Sequence, residues 1–184
     1  MKFKKFKFKK VKSTNDTAIR IIRNSNYKYG MVISDMQTMG RGQYGKKWIS
    51  HKGNIFVSFF HELKNINLSL GRITKINCLL VKKLLTNYYK KNIVFKKPND
   101  LLIQKKKISG ILQETVSVFS NKFLIVGIGI NIKKNPKIKD YLTTSLVELT
   151  NKTINKKEIE NKLKLIFETN LSSMYKTNNK LINN

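Results

Sequence analysis

The chain has 184 residues, with 38 Lys and Arg against 10 Asp and Glu, which gives a formal net charge of +28 at pH 7. This length and a hydrophobic fraction of 40% predict one globular domain over residues 1–184. One cysteine excludes an intramolecular disulfide, no signal-peptide pattern is visible, and no apolar window is long enough to span a bilayer. We therefore expect a cytoplasmic protein with no membrane partner.

The positive charge raises the hypothesis of a polyanionic partner. Lys, Asn and Ile recur in every segment, which indicates a compositional bias more than a patch selected for binding. A basic nucleic-acid-binding module stays open as an alternative. Its typical pattern interleaves lysines with aromatic residues on one sheet face, and only Phe3, Phe6 and Phe8 approach this pattern.

The first third of the chain alternates short strands with one helix. Phe6 and Phe8 alternate with lysines, which predicts an edge strand with its lysines outward. The stretch "STND" at 13–16 offers an N-cap for a helix that runs to about Asn24. Strands are predicted at 31–34 and 55–60, so the glycine-rich segment "GRGQYGKKWIS" at 40–50 connects two strands.

The remaining elements predict an antiparallel sheet and further helices. An amphipathic helix is expected over 70–89, with Leu79 and Leu80 among its core residues. Strands at 93–95, 101–103, 108–118 and 123–132 form a series of hairpins, with a polar turn at 104–107. Helices at 145–149 and 156–175 follow. The predicted fold class is α+β: a mostly antiparallel, mixed sheet with helices packed against it.

The glycine-rich segment has the chemistry of an anion site. Gly40, Gly42 and Gly45 allow backbone N–H groups to converge, and Arg41 adds a planar fork of donors. A phosphate or a carboxylate fits this arrangement, although the spacing is not that of the nucleotide-binding P-loop. A flexible hairpin without a ligand is the alternative.

Two further stretches combine glycine or proline with polar residues. In "FKKPNDLLI" at 95–103, a proline turn carries Lys96, Asn99 and Asp100, and ordinary turn chemistry explains it equally well. In "VGIGIN" at 126–131, Gly127 and Gly129 share one face of a strand. The missing side chains allow a ligand to approach this face closely; a β-bulge or the tight packing of a helix is the alternative explanation.

The order of the motifs is more specific than any one of them. They are "STN" at 13–15, "Q..GRG..G.KW" at 37–48, "GN.F.S" at 53–58, "K.PNDL" at 96–101, "K.SGIL.E" at 107–114 and "VGIGIN" at 126–131. Together they resemble the catalytic domain of biotin protein ligases. The resemblance runs from about residue 11 to the end of the chain. It implies the biotin/lipoate ligase fold and ATP-dependent ligation of biotin to a lysine of a biotin carboxyl carrier protein, through biotinyl-5'-AMP and with Mg²⁺.

The resemblance also implies roles for individual residues. The catalytic residues would be Arg41, Lys96, Asp100 and Lys107. Biotin would be bound by Ser13, Thr14, Asn15, Gln37, Gly40, Arg41, Trp48, Lys96, Gly110, Gly127 and Gly129. ATP would be bound by Arg41, Gly42, Gln43, Trp48, Asn99, Lys107 and Asn131. Asp100 would orient the attacking amine and accept its proton, Lys107 would stabilise developing negative charge, and Gly127 with Gly129 would leave room for the biotin tail. No metal ligand is assigned.

Several of these residues have simpler explanations, and two positions depart from the family. Ser13 and Thr14 can cap a helix, Trp48 can pack in a core, and Lys107 is one of three adjacent lysines. Lys97 stands where the family commonly has tryptophan, and Gln43 where many members have a second arginine. Both departures leave the strength of nucleotide and adenylate binding open, and a degenerate ligase stays an alternative.

A lipoate or octanoate ligase or transferase of the same fold is the other alternative, although these relatives are not expected to combine "GRG..G.KW" with "K.PNDL". About a dozen residues precede Ser13 and about ten follow the last predicted helix. From this we expect neither the family's N-terminal DNA-binding domain nor its small C-terminal β-domain, and hence no DNA partner. Pairing into a homodimer through sheet edges stays open.

Overall fold

Seven strands form a single sheet in the computed structural model, which describes residues 2–63 and 68–182, with side chains to residue 171. In chain order the elements are β1 (Lys4–Phe8), α1 (Thr14–Asn24), β2 (Tyr29–Ser34), β3 (Ile55–Glu62), α2 (Leu70–Leu85), β4 (Ile93–Lys96), β5 (Asp100–Ile103), β6 (Lys106–Val118), β7 (Asn121–Ile130), α3 (Leu146–Thr150) and α4 (Lys156–Ile182).

The sheet has the order β1-β2-β3-β7-β6-β5-β4. Only β1 and β2 pair in parallel; every other neighbouring pair is antiparallel. β1 is an edge strand whose lysines are exposed while Phe6 and Phe8 are half-buried, as their alternation predicts. The α+β class and the hairpin series from β4 to β7 are therefore confirmed.

Helices cover both faces of the sheet because neighbouring strand residues point to opposite sides. On one face α2 and α4 bury the larger core, to which β3 contributes Phe59. On the other face α1 packs Ala18 and Ile22 against a smaller cluster that contains Phe60. One strand thus supplies adjacent aromatic residues to two separate cores.

The buried face of α2 differs from the predicted one. Leu79 is 44% exposed, whereas Asn77, Cys78 and Val81 are buried, so the assignment of Leu79 to the core is wrong. The hydrophobic pattern predicted the wrong face because a polar residue, Asn77, occupies a position that faces the core. That position is stable because Asn77 Nδ2 donates to Gln113 Oε1 at 3.0 Å. The helix also ends at Leu85, earlier than predicted.

The turn before β6 is shorter than the predicted polar turn at 104–107. Gln104 and Lys105 both have positive φ, 50° and 61°, which is the conformation of a two-residue hairpin turn. Lys106 and Lys107 belong to β6 and pair with Ile103 and Leu102. This correction places Lys107 on a regular element.

Cys78 lies in the larger core, and burial raises the pKa of its thiol to about 12. The thiol is therefore protonated at neutral pH and acts as a small apolar core residue. Within the described part of the chain, no helix has the length and hydrophobicity required to cross a membrane.

Candidate active site

Strand register brings one row of candidate residues together on the sheet face that carries α1. Lys96 of β4 lies opposite Asp100 of β5, Asp100 opposite Gly110 of β6, and Gly110 opposite Gly129 of β7. Directly opposed residues of neighbouring strands share a face. Motifs that lie far apart in sequence therefore meet side by side.

A cavity of about 300 Å³ opens over this row. Its size is at the lower end of the range for small-molecule sites. The residues predicted for catalysis or substrate binding that line it are Ser13, Thr14, Asn15, Gln37, Arg41, Gly42, Gln43, Trp48, Lys96, Asn99, Asp100, Lys107, Gly110, Gly127 and Gly129.

Two predicted residues, Gly40 and Asn131, do not line the cavity and lie behind its wall. The Gly40 carbonyl accepts a hydrogen bond from Trp48 N at 2.8 Å, and a Cβ at Gly40 would lie 2.5 Å from the Trp48 carbonyl oxygen. Asn131 is buried, with its Oδ1 3.4 Å from Asn54 Nδ2. Gly40 thus supports Trp48, which does line the cavity, whereas Asn54, which contacts the Asn131 side chain, does not line it.

The glycines of β6 and β7 accommodate protein side chains. A Cβ at Gly129 would lie 2.3 Å from the Trp48 ring, and one at Gly110 would lie 2.8 Å from it. A Cβ at Gly127 would lie 2.3 Å from Asn15 Oδ1. The glycines therefore let Trp48 and Asn15 approach the sheet closely, and they also line the cavity, so that room for the biotin tail beside them stays a prediction.

The Ser13–Asn15 end of the cavity is a buried polar network. Ser13 caps α1 by accepting from Asp16 N at 3.4 Å, so its capping role is present. Thr14 donates to Gln37 Oε1 from its backbone N at 2.8 Å and from its hydroxyl at 3.1 Å. The Ser58 hydroxyl lies 2.8 Å from Thr14 Oγ1 and 2.5 Å from Asn15 Oδ1. These contacts fix donors and acceptors in place before any ligand arrives.

Arg41 is held by two carboxylates. Its Nη1 and Nη2 donate to the two oxygens of Glu114 at 2.9 and 2.8 Å, and Nη2 also donates to Asp16 at 2.7 Å. Partial burial lowers the pKa of the guanidinium, but the hydrogen bond and charge of Glu114, and then Asp16, outweigh it and raise that pKa. Sequence reasoning missed both carboxylates, although Glu114 is the last residue of "K.SGIL.E".

Lys107 and Asp100 form an ion pair, with Nζ 2.8 Å from Oδ1 and with both side chains largely buried. The register shifts between Leu101 and Leu102, so that Ile108 is an extra residue in β6. This β-bulge turns Ile108 into the larger core and Lys107 onto the cavity face. Lys106, its neighbour, instead lies 3.3 Å from Glu148 on the surface.

Aromatic rings flank the Lys107 ammonium on two sides. Its Nζ lies 5.5 Å from the Trp48 ring centroid and 5.2 Å from that of Tyr141. Sequence reasoning missed Tyr141, because an aromatic residue in an irregular segment carries no pattern. Burial, and then the charges of Asp100 and Asp140, raise the pKa of the Tyr141 phenol, so it stays protonated at neutral pH.

Cations dominate the cavity wall. Asp100 is the single carboxylate among the lining residues that the structure describes. The cationic lining residues are Arg41, Lys46, Lys47, Lys96, Lys97, Lys105 and Lys107. A concave surface with this excess of one charge concentrates anions.

Asn54, from the motif "GN.F.S", holds the backbone that follows β7. Its Oδ1 accepts from the backbone N–H groups of Ile132, Lys133 and Lys134 at 3.1, 3.0 and 3.1 Å. Its Nδ2 donates to the Lys134 carbonyl at 2.7 Å. The side chain thereby fixes the start of the segment that carries Tyr141.

Comparisons with known proteins agree with this geometry. Residues 7–131 match the biotin/lipoate A/B protein ligase family. The chain is 29% identical to the bifunctional ligase/repressor BirA of Bacillus subtilis over 163 residues, which are 85% of this chain and 50% of that protein. It is 32% identical to the biotin protein ligase from Aquifex aeolicus, solved in complex with biotin and ATP, with a TM-score of 0.78, covering 92% of this chain and 70% of that one. The chain spans about half the length of the curated BirA relatives.

Proposed function

Because this chain belongs to the biotin/lipoate A/B protein ligase family, we propose that it joins biotin to a lysine of a biotin carboxyl carrier protein, using ATP and passing through biotinyl-5'-AMP. The observation that carries the proposal is the cavity itself. A fixed polar network at Thr14 and Gln37, the Trp48 ring and a cluster of cations meet within one space of about 300 Å³. The likeness to a ligase solved with biotin and ATP supports the same ligands here.

Biotin fits the polar end of the cavity. Its ureido ring offers one carbonyl acceptor and two N–H donors, which Ser13, Thr14 and Gln37 match, with Asn15 beside them. Its apolar rings would lie against Trp48, which is half-buried over the glycines of β6 and β7. The carboxylate at the far end of biotin would then face the cations of the cavity wall.

In the first step, a biotin carboxylate oxygen attacks the α-phosphorus of ATP and pyrophosphate leaves. Negative charge accumulates on the phosphoryl oxygens during this step. Arg41, Lys96 and Lys107 would lower the activation barrier to the extent that their contacts with these oxygens are stronger in the transition state than in the bound substrates. Each charge-assisted hydrogen bond of this kind contributes about 1.5 to 3 kcal/mol. Tyr141 places an aromatic ring beside Lys107. Lys97, which also lines the cavity, adds a positive charge there instead of an aromatic ring.

In the second step, the carrier lysine attacks the biotinyl carbonyl carbon and the bond to AMP breaks. An unperturbed lysine amine has a pKa of about 10.4 and must lose a proton to react. Asp100 is the candidate to accept a hydrogen bond from that amine and to orient it. Asp100 Oδ1 lies 2.8 Å from Lys107 Nζ, so we assign this carboxylate to the positioning of the amine, whose proton passes to water.

Mg²⁺ would accompany the nucleotide. No cluster of three or more His, Cys, Asp or Glu residues able to hold a metal occurs within residues 2–63 and 68–182. In nucleotide sites Mg²⁺ keeps several waters and is held by substrate phosphates with one or two carboxylates. The donor set therefore fits an ion carried mainly by the substrate phosphates and water, and the bound ion would neutralise phosphate charge.

The test is exchange of labelled pyrophosphate into ATP by the purified chain, with biotin, lipoate or octanoate as the acid. Exchange that requires biotin is the expected result. Exchange with lipoate or octanoate alone would instead identify an acyl ligase of the other branch of the family. Failure with all three acids, together with salt-sensitive binding of polynucleotide, would contradict a ligase and favour a basic binding module.

A further inference from the structure

The glycine-rich segment forms a small hairpin over the cavity. Arg41 and Lys47 make an isolated antiparallel bridge, and Gly42 N donates to the Lys46 carbonyl at 2.6 Å. Its tip is Tyr44, which has a φ of 53° and is 91% exposed. A hairpin of this size is marginally stable alone, so its position depends on how its base is held.

The base of the hairpin is held by Glu114. The two hydrogen bonds between Arg41 and Glu114 are parallel and charge-assisted, the geometry in which arginine binds a carboxylate most strongly. Glu114 lies on β6, where it pairs with Ile125 of β7; the pairing of β6 with β5 ends at Gly110. A rigid strand thus carries the carboxylate, whereas Asp16 lies on the exposed side of α1 with its side chain 49% exposed.

Glu114 also contacts the polar end of the cavity. Asn15 Nδ2 donates to Glu114 Oε2 at 2.6 Å, and Asn15 Oδ1 in turn lies 2.5 Å from the Ser58 hydroxyl. One carboxylate therefore joins the network assigned to biotin to the hairpin assigned to the nucleotide. Two of the five guanidinium N–H groups of Arg41, one on Nη1 and that on Nε, are not engaged by Glu114 or Asp16. Arg41 can bind an anion without leaving Glu114.

We propose that Glu114 is a positioning residue: it holds Arg41, and with it the glycine hairpin, over the nucleotide part of the site. This inference rests on the proposed function. Residue 43 is glutamine, so Arg41 is the only arginine of the hairpin at 40–47. The base of the hairpin consequently depends on Arg41, whose carboxylate partners are Glu114 on β6 and the more exposed Asp16 on α1.

The first experiment compares Glu114→Gln with the native chain by pyrophosphate exchange, varying ATP and biotin separately. The amide loses the charge and one of the two acceptor oxygens while it keeps the side-chain shape. We expect KM for ATP to rise about tenfold, the size of one lost charge-assisted contact, with kcat changed less than about threefold. Glu158→Gln is the matched control, because Glu158 makes an exposed ion pair with Lys162 on α4.

A KM for ATP that is unchanged would overturn the proposal. A lowered KM would overturn it too, because it would mean that Glu114 competes with the substrate for Arg41. An equal fall of kcat and stability without a change in KM would point to a purely structural role.

The second experiment needs no activity. Backbone hydrogen exchange of residues 40–47 in the substrate-free protein should accelerate in Glu114→Gln and stay unchanged in Glu158→Gln, with similar Tm for both variants. Unchanged protection in Glu114→Gln would reject the anchoring role of Glu114 even if the chain proves to be a ligase. If the native chain shows no exchange of pyrophosphate, the proposed function fails, and this measurement still decides whether Glu114 anchors the hairpin.

Discussion

Lys107 on β6 and Asp100 on β5 form an ion pair because the residue after Lys107, Ile108, is an extra residue in β6. This bulge turns the Lys107 side chain to the face of the sheet that carries Asp100. Without the bulge, strand alternation would direct Ile108 to the cavity and Lys107 to the opposite face. The pair therefore depends on an irregularity of β6, and it places one cation and one anion where the two half-reactions would take place.

Substitutions of this pair should separate the two half-reactions. Lys107→Met is expected to slow pyrophosphate exchange by more than tenfold, because it removes a charge that stabilises the phosphoryl transition state. Asp100→Asn is expected to leave exchange within a few-fold while it slows transfer from preformed biotinyl-5'-AMP to the carrier protein. Lys106→Met is the control, since Lys106 pairs with Glu148 outside the cavity. Equal losses in both half-reactions for both variants would contradict the assignment.

Arg41 and Lys96 should matter more for activity than for stability. Lys96 is exposed, so Lys96→Ala is expected to change the free energy of unfolding by less than about 1 kcal/mol. Arg41→Ala also removes the contacts to Glu114 and Asp16 and is expected to lower the free energy of unfolding by about 1 to 2 kcal/mol. Pyrophosphate exchange should fall by at least tenfold in each, as expected for a lost charge-assisted contact. Urea denaturation and exchange assays on the same preparations check this, with the exposed Lys91→Ala as the control. Normal exchange in either variant would remove that residue from the catalytic set.

Gly129→Ala should disturb the site through Trp48. Its new Cβ would lie 2.3 Å from the Trp48 ring, which must move away, so biotin affinity should fall by about tenfold or more. Trp48 is the only tryptophan of the chain, and its fluorescence therefore reports both the displacement and biotin titration. Gly71→Ala on α2 is the matched control. A Cβ there meets nothing within 4 Å, and helix propensity should stabilise the protein by up to about 1 kcal/mol.

Stability should depend on His61 between pH 6.5 and pH 4. Burial lowers the pKa of His61 to about 4. In the unfolded chain the imidazole of His61 binds a proton below about pH 6.5, whereas in the folded protein it stays neutral down to about pH 4. Acidification over this range therefore favours unfolding. The free energy of unfolding should fall by about 2 kcal/mol between pH 6.5 and pH 5 from this group. Urea denaturation at several pH values checks it, and a slope that His61→Gln leaves unaltered would exclude His61 as its source.

Patterns in the sequence predicted the features that repeat along the chain. The period of two in β1 and the hairpins of β4 to β7 follow from side-chain alternation, and Ser13 marks the start of α1 because a hydroxyl there can satisfy a free N–H. The resemblance named residues of which nearly all line one cavity. Their roles in binding and catalysis stay predictions.

Features that depend on tertiary contacts were beyond the reach of sequence patterns. The motif "K.SGIL.E" selected Lys107 among three adjacent lysines, but no sequence pattern predicted the bulge at Ile108 that turns Lys107 to the cavity. In the sequence, Asn77 interrupts the apolar pattern of α2, and its burial is explained only by its hydrogen bond to Gln113. Arg41 reads as a free ligand cation, whereas the structure gives it two carboxylates from distant elements.

The contacts of Asn54 set a boundary for motion around the site. Asn54 lies four positions after the end of the glycine-rich segment, and its carboxamide is hydrogen-bonded to four backbone groups of residues 132–134. Asn54 and the start of the segment that follows β7 are consequently tied to each other. The hairpin at 40–47 lies before this tied region in the chain, so any change in its position is confined to the residues that precede Asn54.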